Sequence, residues 1–432
     1  MIYIILTTIA TYLGMIFFTQ HRTSIALISS GILLIIGGVT GSFDPSLAFL
    51  KFPGDIVILI IALAVFTNVF NEIGLIDLIG YKILAIQNKK NGKLMILIPI
   101  IMYLTSLFMN NLTVVLLFTY MALYLALELQ LPIVPLLVSI VIGSNIGGAP
   151  LPWADTPAVI LTLYSDFTLI DFLNKLFIPC LIYAILLSLY TYTWYKKSPY
   201  KRSTPYREKP DINWKEALVP IILFVLYTIS ISIAPFKDIS IAYVSLAFGG
   251  ILLLTQKKNQ MDLLNSLPIM DSLVFIIALF LIGGALEYSG ILKIIAEYVI
   301  SFTNQIKYLI TISVLGVAFL IATFLSAGPA AATLLPICSS LEGIVPFKLI
   351  YAALALGILA GSSMLPWSAT GGPILMSQTR RFIRDVKLDN KEREDLEKIY
   401  DIKSYLAFSI PFSLVILILS GIYLVVYINV CN

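Results

Sequence analysis

The sequence predicts an all-α polytopic membrane protein made of two inverted-topology repeats, each with five spans, a re-entrant hairpin and an interrupted helix meeting at mid-membrane. Three observations carry this fold class. Hydrophobic residues make up 59% of the 432 and charged residues 12%, about half the charge of an ordinary soluble domain. Asp55-Ile-Val-Ile-Leu-Ile-Ile-Ala-Leu returns 216 residues later as Asp271-Ser-Leu-Val-Phe-Ile-Ile-Ala-Leu, Gly74 returns as Gly290, and Leu151-Pro152-Trp153 returns after 214 as Leu365-Pro366-Trp367. That period is half the chain, far longer than the roughly 20–50 residues of a solenoid, and it suits a membrane protein built from two halves. Finally, clusters of glycine, proline and small polar residues interrupt the apolar runs at equivalent places in both halves.

Residues 1–195 form the first repeat. Apolar runs place spans at Met1–Thr19, Ser24–Thr40 and Ile56–Leu78. The first run lacks a basic n-region and a small-residue cleavage site, so it reads as a retained helix. The arms Leu94–Met109 and Leu112–Leu129 follow, forming a hairpin over 94–129. About 15 residues of helix reach roughly 22 Å, short of a hydrocarbon core of about 30 Å, which favours re-entry over two crossings. An interrupted helix over 134–163 and a span from Phe172 to Trp194 complete the half. Residues 196–216, with Pro199, Pro205 and Pro210, read as a solvated linker. The second repeat, 217–432, has spans at Ala217–Ala234, Ser240–Leu254 and Leu273–Ile295. A hairpin over 309–341, an interrupted helix over 349–376 and a span at Tyr405–Tyr427 follow. Asp55 and Asp271 read as N-caps at the heads of their spans, and Arg380–Lys403 as an exposed amphipathic helix.

The charges orient the chain. A half that crosses five times must be followed by an upside-down copy. Placing the linker in the cytoplasm puts Arg22, Lys82–Lys93, Lys196–Lys215, Lys257-Lys258 and Arg380–Lys403 on that side, with 22 of the 28 lysines and arginines. An excess of this size sets orientation, with both termini outside and basic loops cytoplasmic. Cys180, Cys338 and Cys431 are too few and too scattered for a disulfide framework or a metal site, and His21 is a loop residue.

Backbone groups exposed at membrane depth are tolerated only around a protein-lined cavity. The sequence offers four such places. The first hairpin tip carries Asn110, Asn111 and Thr113; the break after it carries Ser144, Asn145, Gly147, Gly148, Pro152, Asp155, Thr156 and Pro157. The second tip carries Ser326, Gly328 and Pro329; its break carries Ser362, Ser363, Pro366, Ser368, Thr370, Gly371, Gly372 and Pro373. Each break leaves one half-helix N-terminus suited to an anion and one C-terminus suited to a cation. The amides and hydroxyls are substrate and ion ligands, the glycines and prolines shape the breaks, and Asp155, the acid at the middle of a break, is the proton-coupling carboxylate. Small residues that merely let helices pack, with Asp155 a half-helix cap, are the structural alternative. Trp153 and Trp367 suit either cavity wall or buried packing.

Ser144-Asn145-Ile146-Gly147-Gly148 followed by Asp155-Thr156-Pro157 resembles the signature of the ion transporter superfamily. The chain is similar to its citrate-transporter-like members on the branch of arsenite exporters, the melanosomal P protein, silicon efflux transporters and sodium–proton antiporters. The tip Phe108-Met109-Asn110-Asn111-Leu112-Thr113 is similar to that group's aspartate-asparagine-x-threonine, with Asn110 where an aspartate is common. Ala154, Thr156 and Ala158 replace a glycine, a proline and an asparagine, and the second tip lacks the usual asparagine. The resemblance implies a homodimer whose transport domains move as elevators. The lost tip acid weakens the usual Na⁺ sites and leaves Asp155 as the coupling carboxylate.

The expected function is secondary active transport, by efflux or antiport, of a small inorganic ion or oxyacid (arsenite-, silicate- or Na⁺-like) coupled to H⁺ or Na⁺. The second reading is sodium-coupled symport of a di- or tricarboxylate, and a passive channel is the third. An intramembrane lipid enzyme would need a nucleophile–base pair or metal set that the spans do not supply. No cofactor, metal or nucleic acid partner is expected. Gly-x-x-x-x-Gly-Lys-Ser/Thr does not occur, so a coupling ATPase would be a separate subunit.

Overall fold

Helices pair their backbone groups within a single segment, which is what a hydrocarbon environment demands. Every described element of this chain is helical. The computed structural model describes residues 2–430 apart from 19–20, 51, 53, 76–77, 79–91, 109–110, 130, 198–212, 235–238, 257–262, 265–269, 292–293, 295–297, 299–300, 304–305, 370 and 386–389. The first half runs α1 (Ile2–Phe17), α2 (Arg22–Thr40), the short α3 (Pro45–Leu50), α4 (Gly54–Glu72), α5 (Gly92–Ser106), α6 (Asn111–Leu129), α7 (Ile133–Gly148), α8 (Thr156–Tyr164), α9 (Leu169–Phe172) and, after a π turn at Leu173–Phe177, α10 (Ile178–Lys197). The second runs α11 (Trp214–Ile233), α12 (Ile241–Thr255), α13 (Met270–Tyr288), α14 (Lys307–Leu325), α15 (Ala327–Leu341), α16 (Leu349–Ser362), α17 (Gly371–Asp385), α18 (Asn390–Glu397) and α19 (Ile402–Val430).

Five helical stretches among the described residues are long and apolar enough to cross a membrane: Thr23–Thr40, Leu169–Lys196, Trp214–Ile231, Lys307–Phe324 and Ile402–Val430. The chain is an integral membrane protein. The fourth stretch is an arm of the second hairpin, so arm length alone does not favour re-entry there. The spans expected at Ile56–Leu78 and Leu273–Ile295 end sooner, at Glu72 and Tyr288. Gly74 (φ 72°) and Gly290 (φ 76°) then turn the chain through the left-handed region, which glycine alone enters freely. Asp55 and Asp271 lie inside the first turns of α4 and α13, and their side chains fall outside the described set, as does most of the 196–216 linker. The helix after the second break does not stop at Met376 but continues to Asp385, because Phe382 stays buried and meets Tyr120 and Tyr124 edge-on at centroid distances of 5.3 and 4.7 Å.

Similar glycine contacts occur in the two halves of the chain. Gly143 and Gly147 of α7 face α5, where a Cβ at 143 would lie 3.2 Å from the Pro99 carbonyl oxygen and one at 147 would overlap that of Tyr103. Gly357 and Gly361 of α16 face α14 in the same way, opposite the carbonyls of Leu315 and Phe319. Small residues let helix backbones close on one another where no water drives them together. The triplets α5–α7–α10 and α14–α16–α19 form around these contacts. A frame lies beside them in which the halves exchange partners, α2 packing on α13 and α12 on α4. At one end Asp171 pairs with Lys175, and Lys348 of the second half reaches both the Asp166 carbonyl and, at 3.5 Å, Asp171.

Candidate functional site

Four helices start next to one another: α6 and α15 at the hairpin tips, α8 and α17 after the breaks. The same backbone bond joins tip to break in each half. Asn111 N–H donates to the Ala154 carbonyl at 3.3 Å, and Ala327 N–H donates to the Ser368 carbonyl at 3.1 Å. The halves also cross over. A Cβ at Gly328 of the second tip would lie 2.7 Å from Thr156 Cγ2 at the start of α8, and one at Gly371 would lie 2.7 Å from Val115 Cγ2 on α6. Each hairpin thus rests on the half-helix that follows the other half's break.

Asp155 is the N-cap of α8, its Oδ1 accepting from Thr156 N–H at 2.7 Å, with Pro157 seated in the first turn where its missing donor costs nothing. The capping alternative is therefore realised, and it does not exhaust the residue. The carboxylate is buried, lies over Gly148, where a Cβ would stand 2.7 Å from Asp155 Cβ, and accepts a hydrogen bond from the Asn111 side chain. No cation approaches it among the described residues. Asn111 Nδ2 also lies 3.2 Å from Asn145 Oδ1, and Asn145 Nδ2 donates to Ser362 Oγ at 3.4 Å. A chain of buried polar contacts therefore runs from the acid through the first tip and first break into the second break.

The remaining hydroxyls divide. Those of Ser144, Ser363 and Ser368 bond backbone carbonyls of their own segments, Val141 at 2.9 Å, Leu359 at 2.7 Å, and both Ser362 and Leu365. They shape the breaks and do not project a free donor. Ser362 donates to Leu359 O at 3.3 Å while accepting from Asn145. Pro152 is buried in the first break, the Pro366 carbonyl fills the space beside Gly372, and Pro373 sits in the first turn of α17. Gly147 is spent on the α5 contact described above. Asn110 and Thr370, and the side chains of Thr113 and Pro329, lie outside the described residues. No group of three or more histidine, cysteine, aspartate or glutamate side chains able to hold a metal occurs among the described residues.

Several supports were not anticipated. Ser106 at the end of α5 donates to the Ser144 carbonyl at 2.7 Å, fixing tip to break. Ser409 and Ser413 of α19 donate to the Met364 and Ala360 carbonyls at 2.6 Å each, holding the second break from outside. The signal for these two is their four-residue spacing in an otherwise apolar span, one helical face.

The family and relatives that this chain matches place it among membrane transporters rather than enzymes, and its broken helices set among apolar spans accord with that class. The chain belongs to the citrate transporter family, CitMHS, whose model matches residues 4–361. It is 23% identical over 373 residues to a protein of Mycobacterium tuberculosis described as an uncharacterized transporter, covering 83% of this chain and 86% of that one. It is 21% identical over 429 residues to the magnetosome protein MamN of Magnetospirillum gryphiswaldense, covering 97% of each. Among solved structures it matches the YdaH transporter of Alcanivorax borkumensis with a TM-score of 0.55 at 14% identity, over 92% of this chain and 89% of that one, a likeness of fold.

Proposed function

We propose that the chain is a secondary active transporter of a small inorganic ion or oxyacid, coupled to H⁺ or Na⁺, working by efflux or antiport in a bacterial inner membrane. The observation that carries this reading is the burial of Asp155 within a chain of amides and hydroxyls reaching the other half through Ser362. An isolated acid at membrane depth is costly and belongs to ion pathways. Asp155 takes and releases the coupling ion, while the acceptor oxygens of Asn111 and Asn145 and the half-helix N-termini hold the cargo.

The reciprocal contacts between halves, α6 with α17, α15 with α8, α2 with α13 and α12 with α4, are those expected of inverted repeats about a pseudo-twofold axis. They support hairpins entering from opposite faces, with the basic loops cytoplasmic and both termini outside. The frame serves as scaffold, and the two triplets with their tips as the moving part of a homodimer. Any ATPase would join as a separate subunit.

A second reading, sodium-coupled uptake of a di- or tricarboxylate, is favoured by the family's own description as citrate transporters. One experiment separates the two. Purified protein in liposomes is given pH and sodium gradients separately, with arsenite, silicic acid, Na⁺, citrate and succinate as cargo. Movement of an inorganic species on the pH gradient, lost in Asp155→Asn, supports the first reading. Carboxylate uptake that follows sodium alone and survives Asp155→Asn overturns it in favour of the second, and flux down the cargo's own gradient with no coupling would make the chain a channel.

A further inference from the structure

The two breaks are not equivalent at their tryptophans. Trp153 Nε1–H donates to the Leu107 carbonyl at 3.2 Å, tying the first break to the first tip. Trp367 occupies the same place in the second break, 214 residues on, next to Ser368, whose carbonyl holds the second tip through Ala327 N–H. Yet Trp367 is 5% exposed and its Nε1–H, buried, has no partner among the described residues. The opposing arms also end differently. In the first hairpin α5 ends at Ser106, so the Leu107 carbonyl lies beyond the helix and is free to accept. In the second, α14 runs on to Leu325, and the corresponding carbonyl, Thr323, falls inside the last helical turn. The whole reversal is then forced onto Ser326, at φ 83° and ψ 155°, a region that side chains avoid and that clusters where a ligand is gripped.

A buried N–H without an acceptor costs about 1–3 kcal/mol, and the residue that carries this one adjoins Ser368, whose carbonyl holds the strained tip at the start of α15. We infer that the Trp367 indole N–H is a ligand donor of the second tip, received by an oxygen of the transported species. An N–H cannot coordinate Na⁺, so this donor selects an oxygen-bearing cargo, an oxyacid or a carboxylate, over a bare cation. The two halves then divide the work, with Asp155 of the first break facing the coupling ion and the donor of the second break joining the first half's amides on the cargo. This rests on the reading that tips and breaks form one transport site.

The test uses full-length protein in detergent, labelled with ¹⁵N at its four tryptophan indoles, titrated separately with arsenite, silicic acid, citrate, succinate and NaCl. The Trp367 signal is assigned by eliminating those of Trp153→Phe, Trp194→Phe and Trp214→Phe, which works even if Trp367→Phe does not fold. At least one oxygen-bearing ligand should move the Trp367 proton downfield, as a new hydrogen bond does, with NaCl leaving it in place. Where Trp367→Phe folds, its affinity for that ligand should fall about tenfold, with partial recovery in Trp367→His. A Trp367 signal unmoved by all four ligands, or moved by NaCl alone, overturns the inference. Coupled flux of the same cargoes in liposomes would then still stand, so loss of this donor and loss of the transport reading are told apart.

Discussion

Asn145 in the first break and Ser362 in the second, 217 residues apart, meet at 3.4 Å with the amide donating to the hydroxyl. Asn145 also accepts from Asn111 at 3.2 Å, so one side chain joins a tip and two breaks. Asn145→Ala should remove both of these buried bonds and cost about 1–3 kcal/mol. Ser362→Ala should cost less, because Ser362 keeps no other inter-half bond. Thermal unfolding in detergent checks the order, and a double-mutant cycle giving no coupling between 145 and 362 would remove this bond from the account.

Substitution separates the helix cap that Asp155 forms from the coupling role proposed for it. Asparagine still caps a helix, so Asp155→Asn should fold with near wild-type stability while losing coupling. Asp155→Ala should lose the cap as well, at about 1 kcal/mol. Paired melting curves and flux assays read both. Equal destabilisation by the two variants would mean the cap is not what the carboxylate contributes to folding.

Gly147 and Gly361 lie against backbone carbonyls that cannot swing away. Alanine at either should push α7 from α5, or α16 from α14, at about 3 kcal/mol or more, near the upper end of overpacking costs. Gly316, with nothing within 4 Å of a would-be Cβ, is the control, where alanine should be neutral or stabilising by up to about 1 kcal/mol. Folded yield and melting temperature measure the contrast.

Ser326 holds a backbone conformation that glycine reaches freely. Ser326→Gly should relieve about 1–3 kcal/mol of strain and raise the melting temperature. Its flux should fall as the tip loosens. A variant that is both more stable and equally active would show the strain to be incidental.

At the Asp171–Lys175–Lys348 cluster, Asp171→Asn should destabilise well beyond Lys348→Ala. Lys175 is 7% exposed at its side chain and loses its partner in the first variant, whereas the second removes a 32%-exposed lysine and leaves Asp171 paired with Lys175.

Much of the buried polar cluster was legible because its signals are local in composition. Asparagine, serine and paired glycines inside an apolar run have few reasons to be there, and the run's repetition picked out Asn111, Asn145, Asp155 and Ser362 together. The same signals do not set apart Ser144, Ser363 and Ser368, whose hydroxyls return to backbone carbonyls. A serine on a helix can always return its hydroxyl to a carbonyl three or four residues back, and sequence does not show which serines do so.

The sequence by itself determined the membrane-spanning class, the twofold repeat and the places where helices break, since hydropathy, period and glycine or proline placement act within one segment. Only the tertiary structure decided that Gly328 rests on Thr156 and Gly371 on Val115, that Asp155 caps α8 while taking a bond from Asn111, and that α14 overruns its counterpart by one turn. Ser326 at the end of α14 holds a strained φ of 83°, and the Trp367 donor in the facing break has no acceptor among the described residues. Where a helix stops against a neighbour depends on packing between segments far apart in the chain, and no periodicity within either segment encodes it.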